Sequence, residues 1–256
     1  MIKIHSRGRL GNIIFQNVVA SILSKKFDLK VEEYIRETKC KEIGCIFNRE
    51  GKIYNHEEVE VNDHNFLSTL KKEKINYGLS VRGFFQKPEF VLDYKEEILS
   101  NFNLIYENPK NNDLFIHVRL GDLSATNSGM EYYSKAIESI NYNKGFISSD
   151  DFDHDIVKTL IAKYNLTPYH GTPQTTIKFA KNFNNLVLSL STFSWWIGFL
   201  SKAERVIYPN NIFLVPEMES IYPRRWEARA IMRNYNRLFK CMKSWEEINN
   251  TNEKTI

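Results

Sequence analysis

Six consecutive residues, His117-Val118-Arg119-Leu120-Gly121-Asp122, place an imidazole, a guanidinium and a carboxylate in one short stretch. They close an apolar run that starts at Leu114 after Asn111-Asn112-Asp113, which reads as a short buried strand. Gly121 permits a sharp turn where that strand stops. In open α/β sheets ligands gather outside the carboxyl ends of the strands, so the three groups can face one bound molecule. His117 and Arg119 alternate with Val118 and therefore share a face. A guanidinium there suits a phosphate, because its planar fork stays charged and can bond two oxygens at once. The plainer alternative is an ion pair between Arg119 and Asp122, and the six residues by themselves leave both open.

Two further stretches carry compatible chemistry. Ser189-Leu-Ser-Thr-Phe-Ser194 is a hydroxyl-rich turn opening a helix, where free N–H groups and hydroxyls together suit phosphate oxygens. Ser148-Ser-Asp-Asp151 offers Asp150 as an acceptor for the N–H edge of a purine or a ribose hydroxyl. Near the start of the chain, Ser6-Arg-Gly-Arg-Leu-Gly-Asn12 joins a strand to a helix, with Arg9 on the turn and Asn12 expected as the N-cap. Two glycines only make this no dinucleotide fingerprint. Asp151-Phe-Asp153 and Asp153-His-Asp155 have the Asp-x-Asp spacing of divalent-ion sites. Asp153 and Asp155 are read instead as a cap and a first-turn acid, and no metal is expected.

These stretches need elements to position them. The sequence predicts a strand at Ile2–His5, a helix at 13–26 with Ile14, Val18 and Ile22 as its apolar stripe, and strand-like pieces at 29–34, 43–47 and 52–54. A short helix at 63–70, a strand at 75–81 and a helix at 88–102 follow. Beyond the polar stretch 107–112 the alternation is regular: strand 113–118, helix 130–140, strand 145–148, helix 154–164, helix 173–183, strand 186–190, helix 194–202, strand 205–208. Strands alternating with helices of this length predict a parallel sheet covered on both faces. The expected organisation is an N-terminal α/β domain at 1–107, a Rossmann-like domain at 108–222, and a basic amphipathic helix and tail at 223–256.

The chain of 256 residues is 42% hydrophobic and 26% charged, the composition of a globular protein. No signal-peptide pattern opens it, and the three cysteines, Cys40, Cys45 and Cys241, form no Cys-x-x-Cys pair, so a reducing cytoplasm is the default. The net charge of +4 is unevenly placed: between Pro223 and Lys243 seven Lys or Arg stand against the one acid Glu227. Arg225, Arg229, Arg233 and Arg237 recur every four residues, on a different face from Ile231, Tyr235, Leu238 and Met242. A solvated basic face packed on the body is one expectation. A peripheral contact with an anionic membrane or a lipid-linked substrate is the other. Nucleic acid is not expected as a partner. Trp195 and Trp196, adjacent at a helix start, are read as core packing rather than a sugar platform.

Gly8-Arg-Leu-Gly-Asn12 with Phe15-Gln16, Gly83-Phe-Phe-Gln86, His117-Val-Arg-Leu-Gly-Asp122, Tyr132-Tyr133 with Ala136-Ile137, Ser149-Asp-Asp151 and Ser191-Thr-Phe-Ser-Trp-Trp196 resemble, in that order, the motifs of the α-1,2-fucosyltransferase family, which is related to the protein O-fucosyltransferases. The resemblance implies a GT-B-type fold of two Rossmann-like domains, GDP-fucose as donor, no cofactor or metal, and inversion at the fucose anomeric carbon. The acceptor expected with it is a glycan, an oligosaccharide with galactose O2 as the target hydroxyl, or a lipid-linked glycan, the latter suggested by the basic C-terminal run and not by the resemblance. By the same resemblance Arg119 binds the β-phosphate and stabilises the leaving GDP. Arg9 and Asn12 approach the diphosphate or the fucose. His117, Asp150, Ser191, Thr192, Phe193 and Ser194 hold GDP, with Phe193 against the base or ribose. Asp122 is the candidate base, with His5 and Glu131 behind it. One departure from the pattern is Leu120, where the family commonly has a second arginine; a side chain turned into the structure leaves the donor site unaffected, and one touching the donor changes it. The alternatives are a transferase using another nucleotide sugar and a non-catalytic nucleotide-sugar or glycan-binding protein.

Overall fold

The structure, a computed structural model, describes residues 1–32, 37–46, 50–54, 57–106, 112–121, 127–210 and 237–249. The chain forms two compact units, Met1–Ile105 and Tyr106–Ile256.

The first unit contains β1 (Ile2–Ile4), α1 (Leu10–Phe27), α2 (Glu37–Lys41), β2 (Glu58–Val61), α3 (Phe66–Leu70), β3 (Gly78–Val81), α4 (Pro88–Asp93) and α5 (Lys95–Leu99). Its sheet is parallel, in the order β1-β3-β2. Helix α1 differs from the expected one-sided stripe: apart from Asn12, it is buried from Leu10 to Ser24, as a helix apolar on all sides must be. Its polar side chains are satisfied internally, Asn17 donating to the Ile13 carbonyl at 2.8 Å and Ser24 to the Leu29 carbonyl at 2.6 Å. The helix also starts earlier than expected, at Leu10, so Arg9 holds the N-cap position and Asn12 lies in the first turn. The strand-like pieces around 29, 45 and 52 shrink to isolated bridges, Ile2 with Val31, Leu29 with Lys52 and Cys45 with Phe102. The paired strand is instead β2, whose Glu-Val-Glu-Val alternation matches an edge strand with one wet face. The helix expected at 88–102 breaks at Tyr94, which leaves helical geometry at φ −126°.

The second unit contains β4 (Leu114–Val118), α6 (Gly129–Glu138), β5 (Gly145–Ser149), α7 (Asp155–Tyr164), β6 (Thr167–Pro168), α8 (Pro173–Ala180), β7 (Asn185–Val187), α9 (Thr192–Phe199), β8 (Arg205–Asn210) and β9 (Glu246–Asn249). The order is β6-β5-β4-β7-β8-β9, every pair parallel. Numbered within the unit, the strands therefore run 3-2-1-4-5-6, the doubly wound Rossmann order. Strand β4 is buried on both faces. Its even residues Leu114, Ile116 and Val118, with Leu120, join Tyr132, Tyr133, Val157 and Leu160 in one core cluster. On the other face, Phe115 packs against Phe179 and Phe183.

The expected basic amphipathic helix and tail span 223–256. Residues 211–236 lie outside the described ones, and with them Arg224, Arg225, Arg229 and Arg233. Residues 237–240 are helical, and the following segment supplies β9 to the sheet. Arg205 of β8 forks onto Glu246 of β9, Nε to Oε1 at 2.6 Å and Nη2 to Oε2 at 2.8 Å. That pairing holds the Glu246 carboxyl below its ordinary pKa. Leu238 and Phe239 are buried, and the indole N–H of Trp195 donates to the Leu238 carbonyl at 3.2 Å. Residues 237–249 are thus built into the second unit. Among the described residues, no helix is long and apolar enough to cross a membrane.

Candidate active site

The strand order reverses between β4 and β7, so a crevice opens at their carboxyl ends. Alternation along β4 delivers His117 to that crevice on the face of Phe115, with Arg119 next on the same side. His117 is 5% exposed. Its Nδ1 lies 2.6 Å from Ser194 Oγ and 3.1 Å from Ser189 Oγ. Burial pushes the imidazole pKa down to about 3, with the positive charge of Arg119 adding to the effect. At neutral pH the ring is uncharged, so it acts through hydrogen bonds and not as a cation.

Ser189 and Ser194 are 2.7 Å apart through their hydroxyls. Ser191 caps α9, accepting from the Ser194 N–H at 3.1 Å. Phe193 lies with its ring centroid 5.0 Å from that of His117. Thr192 opens the helix and is buried. Beneath this turn, the Tyr132 hydroxyl donates to the Leu188 carbonyl at 2.6 Å, tying α6 to the end of β7. Trp195 and Trp196 are fully buried, as expected.

Register explains the partner of Arg119. Val118 of β4 is level with Ser149 of β5, so the next residues out, Arg119 and Asp150, leave the sheet side by side. They form an ion pair through Nη1 and Oδ2, with side chains 11% and 27% exposed. The other carboxylate oxygen accepts from the Leu120 N–H at 2.8 Å. Sequence reasoning assigned the bland ion pair to Asp122 and offered Asp150 to a nucleoside; here Asp150 holds Arg119. Asp122 lies outside the described residues. Leu120 is 0% exposed within the apolar cluster, so the departure at this position belongs to the core.

The neighbouring acids have local partners. Asp153 lies 3.2 Å from Lys158, and its N–H donates to Asp151 at 3.0 Å. The cap of α7 is His154, accepting from the Ile156 N–H, and not Asp153. Among the described residues, no three His, Cys, Asp or Glu gather as metal ligands. Glu131 is paired with Lys135 at 2.6 Å on α6.

Arg9 and Asn12 lie at the carboxyl edge of the first unit's sheet, where a second constellation forms. Gly8 has φ +81°, and a Cβ there would meet Asn12 Nδ2 at 2.1 Å. Asn12 Oδ1 accepts from Gln86 at 2.7 Å, so the first two sequence motifs meet. Gln16 closes the same turn, accepting from the Arg7 N–H at 3.1 Å and donating to the Arg7 carbonyl at 3.0 Å. The loop carrying Gln86 is pinned by Asp63, which accepts from the N–H groups of Phe84 at 2.9 Å and Phe85 at 2.5 Å. Ser189 and Asp63 were missed as individual site residues; the hydroxyl run contained Ser189, whereas nothing local linked Asp63 to a loop twenty residues on.

A parallel sheet in this order, with an arginine, a carboxylate and a capped, hydroxyl-rich helix start at the carboxyl ends of its strands, fits a Rossmann-like glycosyltransferase. The sequence pattern of glycosyl transferase family 11 matches residues 52–229, well over half of the chain. The chain belongs to that family, which implies fucosyltransferase activity and with it a nucleotide-sugar donor and a glycan acceptor. No curated protein matches it.

Proposed function

We propose that this chain transfers L-fucose from GDP-fucose to a hydroxyl of a glycan, galactose O2 being the target class, with inversion and without a metal ion. The observation that carries the reading is Arg119, delivered by β4 to the switch point of a family 11 chain, two residues beyond His117, which bonds Ser194 at the hydroxyl-rich start of α9. In the reaction the acceptor oxygen forms a bond to the fucose anomeric carbon as the bond from that carbon to the β-phosphate oxygen breaks. The bonding pair leaves on GDP, and the acceptor proton passes to a base or to solvent. Arg119 stabilises charge that grows on the β-phosphate, a contribution of up to several kcal/mol in a site that excludes water. Neutral His117 and the serine hydroxyls orient the diphosphate, and Asp122 remains the candidate base. The reading also assigns Arg9 and Asn12 to the diphosphate or the fucose, as the family resemblance implies. The reading extends to a cytoplasmic, membrane-peripheral enzyme with a lipid-linked acceptor, on the support of the basic run 224–243.

The test is release of GDP from GDP-fucose in the presence of a galactose-terminated oligosaccharide, with and without chelator, and the anomeric configuration of the product read by NMR. An α-linked product whose yield is indifferent to chelator is expected. Hydrolysis alone, a retained configuration or chelator sensitivity contradicts the reading.

A further inference from the structure

The atoms around the Asp150 carboxylate are those that an oxyanion requires. Arg119 Nη1 donates to one oxygen and the Leu120 N–H donates to the other at 2.8 Å. Gly121 closes the third side: a Cβ on it would lie 2.6 Å from Asp150 Oδ2, and its φ of +40° is left-handed. A guanidinium, a backbone amide and a bare Cα at the carboxyl end of a Rossmann strand make a receptor for a phosphate oxygen. The protein fills this receptor with a carboxylate of its own.

We propose that Asp150 stands in for a donor phosphate, occupying the Arg119–Leu120–Gly121 oxyanion pocket of the unliganded protein until a diphosphate displaces it. The inference rests on the reading of Arg119 as the donor-phosphate residue. The stand-in neutralises Arg119 and holds it in place while the site is empty, so less ordering is left to donor binding. It also makes the pocket selective for a whole nucleotide. Inorganic pyrophosphate must expel the carboxylate and offers it nothing in return, which strips a partly buried acceptor of the Arg119 and Leu120 donors. A nucleoside diphosphate expels it and supplies N–H or hydroxyl donors to receive it. Apparent affinity for pyrophosphate is therefore lowered by the fraction of molecules in which Asp150 fills the pocket.

The experiment is calorimetric titration of the full chain with inorganic pyrophosphate and, separately, GDP, using wild type, Asp150→Asn, Asp151→Asn and Arg119→Ala. Asp150→Asn is expected to bind pyrophosphate about tenfold more tightly than wild type. Asp151→Asn, which removes a neighbouring charge that does not pair with Arg119, should stay within about twofold, and Arg119→Ala should lose binding. Asp150→Ser, with the same expectations, replaces the amide variant if the latter misfolds. Pyrophosphate affinity that is unchanged or weaker without the carboxylate overturns the proposal. So does an equal gain in Asp151→Asn, or undiminished binding in Arg119→Ala. A chain that shows the Asp150 dependence with pyrophosphate but prefers a nucleotide sugar other than GDP-fucose loses the donor assignment and keeps this inference.

Discussion

His117 occupies a place where a proton is expensive. Its folded pKa, about 3, lies far below the ordinary imidazole value. The unfolded chain takes up a proton near pH 6.5 and the folded one does not, so the stability tied to neutral His117 is complete above that pH. It drains away as pH falls toward about 3, at roughly 1.4 kcal/mol per unit. Thermal melts between about pH 7 and about pH 4.5 should show wild type losing stability more steeply than His117→Asn, and equal slopes would contradict the assignment. Gly121→Ala should destabilise by about 1–3 kcal/mol, since it combines a left-handed φ with a collision against the Asp150 carboxylate. Denaturant titration checks it, and a change of a few tenths would mean that the turn relaxes freely. Leu120→Arg, the residue common in the family, should cost several kcal/mol here, because a guanidinium would enter an apolar cluster. An unchanged denaturation midpoint would show that the arginine finds a path outward.

At the level of elements, the start of α9 is fixed by hydroxyls of unequal weight. Ser191→Ala removes a cap and should cost about 1 kcal/mol. Ser194→Ala removes the hydroxyl shared among His117, Ser189 and Ser191, and buried partners left unsatisfied raise the expected loss to about 2–3 kcal/mol. Denaturant midpoints that rank the two variants the other way would place the weight on the cap. Much of this edge was legible in the sequence. The alternation of His117 and Arg119 with Val118, and the hydroxyl run before an apolar helix, are local signals, and both describe the structure. The pairing of Arg119 with Asp150 was not, because it depends on β4 and β5 standing in register, and register is a tertiary property. The same holds for β2, an edge strand too polar to stand out, and for Asp63, whose partners lie in a distant loop. Asn12 was misplaced by one turn because Gly8 lets α1 begin before its apolar run does.

In the whole molecule, the six-stranded sheet is completed by the chain's last described segment. Strand β9, the Arg205–Glu246 fork and buried Leu238 and Phe239 make residues 237–249 a structural part of the second unit, in line with the expectation that this region packs on the body. A truncation before Arg237 should therefore abolish cooperative unfolding of this unit, read by circular dichroism, and a truncated chain that melts like wild type would show the tail to be dispensable. The central claim, that the β4–β7 switch point holds the diphosphate of GDP-fucose on Arg119, is tested most directly by calorimetric titration of GDP-fucose, GDP-mannose and UDP-galactose into wild type and Arg119→Ala, with and without chelator. Preferential binding of GDP-fucose that survives chelator and disappears in Arg119→Ala is the expected result. Preference for another nucleotide sugar, or GDP-fucose binding that does not need Arg119, would contradict it.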